Sequence, residues 1–320
     1  MLTALAGGVG AARMLCGMAS VVPAAEITAV VNTGDDVVLH GLHVSPDLDT
    51  VTYGLAGAGD TDRGWGLAGE TWSVMEALER YPKAAPPASR AGQTWFRLGD
   101  RDLATHLYRT QRLSEEATLS EVTAEVARAW GVAVRLLPMT DDRVETRVTV
   151  PGPEPGTSVE IGFQEYFVGH RHSVPVEAVR FADVESAEPA AGVLEAIGSA
   201  EKVLICPSNP IVSVAPILAV PGVGEAVASH RSRSVAVSPI VAGAAVRGPA
   251  GRVMSELGHE VSALGVARLY APFVSSLVVD EADAHLAGAV EAEGVRCVVA
   301  PTLMTSPAEA AALARAVLAA

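Results

Sequence analysis

Leu2-Thr3-Ala4-Leu5-Ala6-Gly7-Gly8-Val9-Gly10-Ala11-Ala12-Arg13 decides the fold. A short apolar run stops at a glycine turn and gives way to Ala11 to Ala19, which has the make-up of a helix. Strand, glycine turn and helix in that order open a nucleotide-binding α/β unit, in which the missing side chains let a phosphate approach the backbone at a helix N-terminus. A tight turn that serves packing alone is the plainer alternative. The dinucleotide fingerprint needs a further glycine at position 13, where this chain has Arg13. A second strand, Ile27 to Val31, ends at Asn32 without the acid that holds a cofactor ribose. An oxidoreductase with a bound dinucleotide is therefore disfavoured.

Just past that second strand the chain turns acidic. Asn32-Thr33-Gly34-Asp35-Asp36 is followed by Ser45-Pro46-Asp47-Leu48-Asp49-Thr50 and then by Asp60-Thr61-Asp62-Arg63-Gly64-Trp65-Gly66. Carboxylates interleaved with glycines beside a strand end suit a divalent cation and a phosphorylated ligand. Ser45 and Pro46 start a helix as N-cap and first residue, running to about Leu55. Asp47 and Asp49 then fall in its first turn, where the helix dipole favours acids whatever their function. Two residues apart on a helix, they point in different directions.

The length of 320 residues allows one elaborated domain, and the 49% apolar share is that of a folded protein. A net charge of -14 repels nucleic acid and anionic membrane surfaces, so neither is expected as a partner. Cys16, Cys206 and Cys297 lie far apart without metal-ligand spacing, and read as free thiols. No apolar run approaches the ~18 residues of a membrane span, and no basic leader opens the chain, so a cytoplasmic protein is expected. Lysine occurs only at Lys83 and Lys202, a bias toward arginine that points to a GC-rich genome.

The fold expected is a doubly wound, Rossmann-like parallel α/β sheet with a mostly helical cap. Residues 1–66 and 183–320 would form the core, and 67–182 the cap with a few strands. Within the cap, helices are expected over Glu70 to Arg80, from an N-cap at Asp100 to Gln111, and over Leu119 to Trp130, ending at Gly131. Tyr81 to Thr94, rich in proline and alanine, reads as a loop. Val132 to Leu137, Val144 to Val150 and Ser158 to Phe163 read as strands. Arg97, Arg101 and Arg109 would meet an acidic substrate, with a solvated helix face the alternative for Arg97 and Arg109. His170 and His172 read as a surface loop. Strand-helix alternation returns near 183: a helix over Ala191 to Ser199, strands over Val203 to Cys206, Ser234 to Val237 and Val295 to Val299, and a last helix, Pro307 to Leu318, capped by Ser306. The turns Pro207-Ser208-Asn209-Pro210 and Ser238 to Gly243 then stand where open parallel sheets bind ligands, although helix capping explains their polar residues equally well.

Taken in order, these motifs resemble the 2-phospho-L-lactate transferase family of coenzyme F420 biosynthesis, CofD, called FbiA in actinobacteria. The likeness rests on Leu5 to Arg13, Asn32 to Asp36, Pro46 to Thr50, Asp62 to Gly66, Leu98-Gly99-Asp100-Arg101-Asp102-Leu103-Ala104-Thr105, Cys206 to Pro210 and Ser238-Pro239-Ile240. It implies transfer of a 2-phospholactyl or phosphoenolpyruvyl group from a guanylyl diphosphate donor to the ribityl hydroxyl of the deazaflavin Fo, with release of GMP and with Mg²⁺ as cofactor. With an actinobacterial source the resemblance points to the enolpyruvyl donor. It also implies a homodimer.

By the same resemblance, Gly7, Gly8, Gly10, Ser208, Asn209, Ser238 and Gly243 would hold the guanosine diphosphate part. Asp47 and Asp62 would hold the metal, Asp35 and Asp36 would stand beside them in the catalytic group, and Asn32, Asp49 and Arg101 would meet Fo. Arg247 stands where family members carry lysine before Gly-Pro. The rival class is the YvcK-like nucleotide-sugar-binding regulators, which share the glycine turn and the aspartate loop but carry Gly-Gly-Ser-Ser after it. Here Asp36 is followed by Val37-Val38-Leu39-His40, which favours the enzyme.

Overall fold

Seven strands form one parallel sheet in the computed structural model, which describes residues 1–86 and 89–320. In chain order they are β1 (Leu2–Ala6), β2 (Ile27–Val31), β3 (Arg135–Pro138), β4 (Lys202–Ile205), β5 (Ser234–Val237), β6 (Ser276–Val279) and β7 (Arg296–Val299). Across the sheet the order is β7-β6-β5-β4-β1-β2-β3, with every neighbouring pair parallel. This is the doubly wound arrangement, and its strand order reverses between β1 and β4.

Alternation along each strand sends residues to two cores. Leu5, Val30, Val203 and Ile205 join one apolar cluster, and Ala4, Ala6, Ala29, Val31 and Leu204 join the other. Strands buried on both faces read as continuous apolar runs, which is why Leu2–Ala6 shows no polar alternation. The Gly8–Ala19 helix lies on the second face beside the C-terminal Pro307–Ala319 helix. Their contact is backbone-close, since a Cβ on Gly17 would stand 2.4 Å from the Ala310 carbonyl oxygen. Ser306 caps that last helix in a box with Glu309, as its sequence requires.

Residues 67–182 do not all stand apart from the core. The Leu119–Ala129 helix leads into β3, which pairs with β2 as the edge of the main sheet. Residues 145–182 instead build a separate antiparallel sheet, with Glu145–Pro151 between Ser158–Gly162 and Ala178–Ala182. Its apolar face, Val148, Val150, Phe163 and Tyr166, packs on Val212 and Val253 of the C-terminal half. The strand at 178–182, β6 and the Val37–Leu39/Leu42–Val44 hairpin are additional to the elements expected from the sequence. The hairpin turns on His40 and Gly41, both with positive φ.

The helix expected over Glu70 to Arg80 is only Ser73–Leu78, and the one expected from Asp100 is Asp102–Ser114. Asp100 does cap a helix, but the other one: it accepts from the Ser73 and Val74 N–H groups at 2.9 and 3.0 Å. Glu70 returns the favour, accepting from the N–H groups of Arg101 and Asp102 at 2.8 and 2.9 Å. Local sequence cannot show such an exchange of caps. Of the Tyr81 to Thr94 loop, residues 87 and 88 lie outside the described residues, and the rest is turn and irregular chain.

Candidate active site

A cavity of about 500 Å³ opens at the C-terminal ends of the paired strands β1 and β4. Its floor is the glycine turn after β1 and the Pro207-Ser208-Asn209 turn after β4. The two turns are tied together, since Ser208 Oγ accepts from the Gly7 N–H at 3.2 Å and donates to the Gly7 carbonyl at 2.8 Å. They also touch, because a Cβ on Gly10 would lie 2.2 Å from the Pro207 carbonyl oxygen. The glycines therefore have a packing reason of their own. Asn209 caps the following Pro210–Val214 turn through Oδ1, and its buried Nδ2 has no partner among the described residues.

Asp47 is fixed against this floor. The Pro46–Leu55 helix has proline at its first position, but Ser45 does not cap it; Ser45 Oγ donates instead to Asp36 Oδ2 at 2.6 Å. The neighbouring carboxylate is a stronger acceptor than the helix is a donor, and it draws the hydroxyl away. Asp47 faces the Gly8 N–H, so a carboxylate already occupies the helix N-terminus that the sequence offered to a phosphate. The fully buried Asn32 amide donates to both Asp47 Oδ2 (3.0 Å) and Asp35 Oδ1 (3.1 Å). Gln164, in the turn that follows the Ser158–Gly162 strand of the antiparallel sheet inserted at 145–182, donates to Asp35 Oδ2 at 2.8 Å.

This crowding changes the acids. Burial pushes the Asp47 carboxyl up to about 6, against the hydrogen bonds from Asn32 and Gly8. Burial, with the Asp47 charge behind it, raises Asp35 well above the usual carboxylate range. Asp36 is pushed up to about 8 by burial, with the Ser45 bond opposing, and its buried Oδ1 has no partner among the described residues. Asp36 faces a second, smaller cavity, not the main one.

Asp49, two residues past Asp47, points the other way, as helical spacing requires. Arg109 grips both its oxygens, and His106 Nδ1 stands 3.6 Å from Oδ2. His106 Nε2 lies 3.2 Å from Asp102 Oδ2, and the Tyr53 hydroxyl donates to Asp102 Oδ1 at 2.5 Å. Burial works against the Asp102 charge, but His106 and Tyr53 hold its carboxyl below the usual range. Asp49, Asp102 and His106 have the spacing of a metal site. Arg109 already pairs with Asp49 there, and Asp49, Asp102 and His106 all line the main cavity. Arg109 is thus a buried strut rather than a solvated helix face.

Other expected residues fall elsewhere. Asp62 is exposed and off the cavity wall, on a loop where Asp60 accepts its N–H at 3.0 Å. Arg101 is exposed as well, donating to the Ala68 carbonyl at 2.6 Å. Gly243, with φ of 75°, forms the turn of the Ile240–Val241/Ala244–Ala245 ribbon and does not reach the cavity. Ser238 lines the cavity, with its hydroxyl spent on the Ile240 carbonyl. Arg13, Arg63, Arg97 and Arg247 line it together with Asp35, Asp47, Asp49 and Asp102, so acids and arginines share one cavity. Between them Tyr53, Trp65, Phe96, Phe163 and Phe167 supply aromatic wall. Phe163 and Phe167 stack with centroids 5.6 Å apart. Of the residues that sequence reasoning missed, only Asp102 and His106 carry a signal, their one-turn spacing on a helix.

A doubly wound sheet with an acid-lined, aromatic-walled crevice at its switch point defines a Rossmann-type α/β protein with the crevice of a small-molecule site. A sequence profile of "2-phospho-L-lactate transferase CofD" matches residues 2–305, and the chain belongs to that family, the transferases of coenzyme F420 biosynthesis. A phosphoenolpyruvate transferase of Kitasatospora aureofaciens is 48% identical over 99% of this chain and 97% of its own length. One from Streptomyces griseus is 47% identical over 98% and 96%. A crystal structure of a UPF0052 family protein from Bacillus halodurans superposes with a TM-score of 0.59 at 18% identity, covering 99% of this chain and 98% of that one, which shows the shared fold. Among the described residues no single helix is long and apolar enough to cross a membrane.

Proposed function

We propose that this chain moves a phosphoenolpyruvyl group from enolpyruvyl-2-diphospho-5'-guanosine to the ribityl hydroxyl of the deazaflavin Fo, giving dehydro-F420-0 and GMP. The observation that carries the reading is the cavity itself, which buried acids, arginines and aromatic side chains line together. The names of the relatives favour the enolpyruvyl donor over the lactyl one. The planar ring of Fo suits the Phe163, Phe167, Trp65 and Phe96 wall. The donor's charged groups suit the arginines and the free Asn209 amide.

Mg²⁺ fits the acidic end. Asp35 and Asp47 are hard oxygen donors held side by side by one uncharged amide, and both are forced toward protonation by burial. Asp47 would hold the ion with Asp35 beside it, and Asp62, on the adjoining exposed loop, would add a further carboxylate. When bound, the ion neutralises phosphate charge and lowers the pKa of the attacking hydroxyl. Phosphoryl transfer asks little else of the protein beyond alignment and charge stabilisation. Asn32 and Gln164 orient the acids, Arg109 immobilises the helix that carries Asp47, and the aromatic wall excludes water from the reacting groups. The free thiols accord with a cytoplasmic setting, and the family likeness with a homodimer.

The test is mass spectrometry of the purified protein incubated with Fo, Mg²⁺ and each guanylyl donor in turn. GMP and a new deazaflavin phosphodiester from the enolpyruvyl donor are expected. Product from the lactyl donor alone reverses the donor assignment, and no product from either, with a nucleotide sugar retained, supports the regulatory alternative.

A further inference from the structure

Gln164 is an insertion residue that reaches the acid cluster. It follows Phe163 at the end of the Ser158–Gly162 strand, is 6% exposed, and donates Nε2 to Asp35 Oδ2 at 2.8 Å. The other oxygen of Asp35 accepts from Asn32, whose same amide nitrogen also serves Asp47. Both oxygens of Asp35 are therefore oriented by amides, which carry no net charge. Asp49 differs, since a guanidinium takes both its oxygens and cancels its charge. Of the two kinds of buried acid, only the amide-held kind has no cationic side chain already paired with it, and so is open to a cation. The insertion is docked on the same loop: the Thr146 N–H donates to the Gly34 carbonyl at 2.5 Å, and a Cβ on Gly34 would meet Thr146 Oγ1 at 2.8 Å.

We propose that Gln164 is a positioning residue, supplied by the insertion, that aims the Asp35 carboxylate for a divalent cation shared with Asp47. The inference rests on the metal-binding part of the function proposed above. It makes the antiparallel sheet part of the acid site and not merely a cover over it. An amide is the side chain this place requires. A carboxylate there would repel Asp35, and a lysine would take the cation's place.

The experiment uses the full chain and Mn²⁺ as probe, with binding read by electron paramagnetic resonance. Gln164→Met, which keeps the length without the donor, is expected to weaken Mn²⁺ binding about tenfold, as the loss of groups that orient metal ligands does. The Mg²⁺ needed for half-maximal transfer should rise in step, while kcat at saturating Mg²⁺ is retained. Gln164→Lys should abolish Mn²⁺ binding. Should Gln164→Met fail to fold, Gln164→Asn, one methylene too short to reach, carries the same expectation. A Gln164→Met protein that binds Mn²⁺ like the wild type and only raises KM for the acceptor overturns the proposal. Wild-type protein that binds no Mn²⁺ overturns it together with the metal reading. Wild-type protein that binds Mn²⁺ without transferring anything refutes the reaction alone, and the Mn²⁺ comparison still decides the role of Gln164.

Discussion

Arg109 holds both carboxylate oxygens of Asp49 across sixty residues of chain, and both side chains are buried. The pair ties the Asp102–Ser114 helix to the Pro46–Leu55 helix, and so sets the direction of Asp47 on the opposite side of the same turn. Removing one partner of such a pair strands the other charge without water.

Arg109→Met is accordingly expected to destabilise the protein by about 3–5 kcal/mol, and Arg109→Met with Asp49→Asn to recover part of that loss. Denaturant unfolding of the two single variants and the double one checks it. A double variant as unstable as the sum of the singles would show that the pair is not coupled.

Asp47 and Asp62 differ in what their loss should do. Asp47→Asn and Asp62→Asn are each expected to abolish transfer, and neither should lower the melting temperature, one removing a costly buried charge and the other an exposed one. Near-normal activity in Asp62→Asn would leave Asp35 and Asp47 as the cation's protein ligands, and near-normal activity in both would end the metal assignment.

The raised acids make the metal-free protein less stable as pH rises. Both Asp47 and Asp36 are protonated in folded and unfolded chain below the ordinary aspartate value of about 3.9, and their contribution is lost as pH climbs through about 6 for Asp47 and about 8 for Asp36. For Asp47 the loss is of the order of 3 kcal/mol. Denaturant midpoints measured from pH 4 upward in chelator should fall, and Mg²⁺ should restore them above pH 6. A flat profile in chelator would mean that the acids are not buried in solution.

Gly10→Ala should separate the two turns that floor the cavity, because its Cβ meets the backbone of Pro207. A marked fall in melting temperature and loss of transfer are expected. Gly288→Ala, in open space on the Ala287–Ala292 helix, should instead be neutral or stabilise by about 0.5–1 kcal/mol. Equal effects from both variants would contradict the close approach of Gly10.

Phe167→Ala tests the aromatic wall. Loss of one stacking face is worth about 0.5–1.5 kcal/mol, so KM for the deazaflavin should rise some three- to tenfold with the donor's KM unchanged. A change confined to the donor would assign Phe163 and Phe167 to the guanine instead.

The main sheet was legible because its signals are local. Leu2–Ala6 and Ile27–Val31 are continuous apolar runs closed by glycine or asparagine, and strands buried on both faces need nothing more to be recognised. The last helix announced itself through Ser306, Pro307 and Glu309. The acid-rich loops were equally plain, as was the opposite aim of Asp47 and Asp49. Caps, partners and exposure were not. Asp100 and Glu70 cap each other's helices over some thirty residues, Ser45 abandons its own helix for Asp36, and Arg109 is buried where its helix alone suggested solvent. Periodicity, turn chemistry and acid content are properties of neighbours in the chain, and by themselves they determined the doubly wound class, its first crossover and the presence of an acid site. Which acids share Asn32, which one Arg109 neutralises and which is left outside with Asp62 depend on distances between segments far apart in sequence. Only tertiary packing, which brings Gln164 and Arg109 to that site from the insertion, decided them.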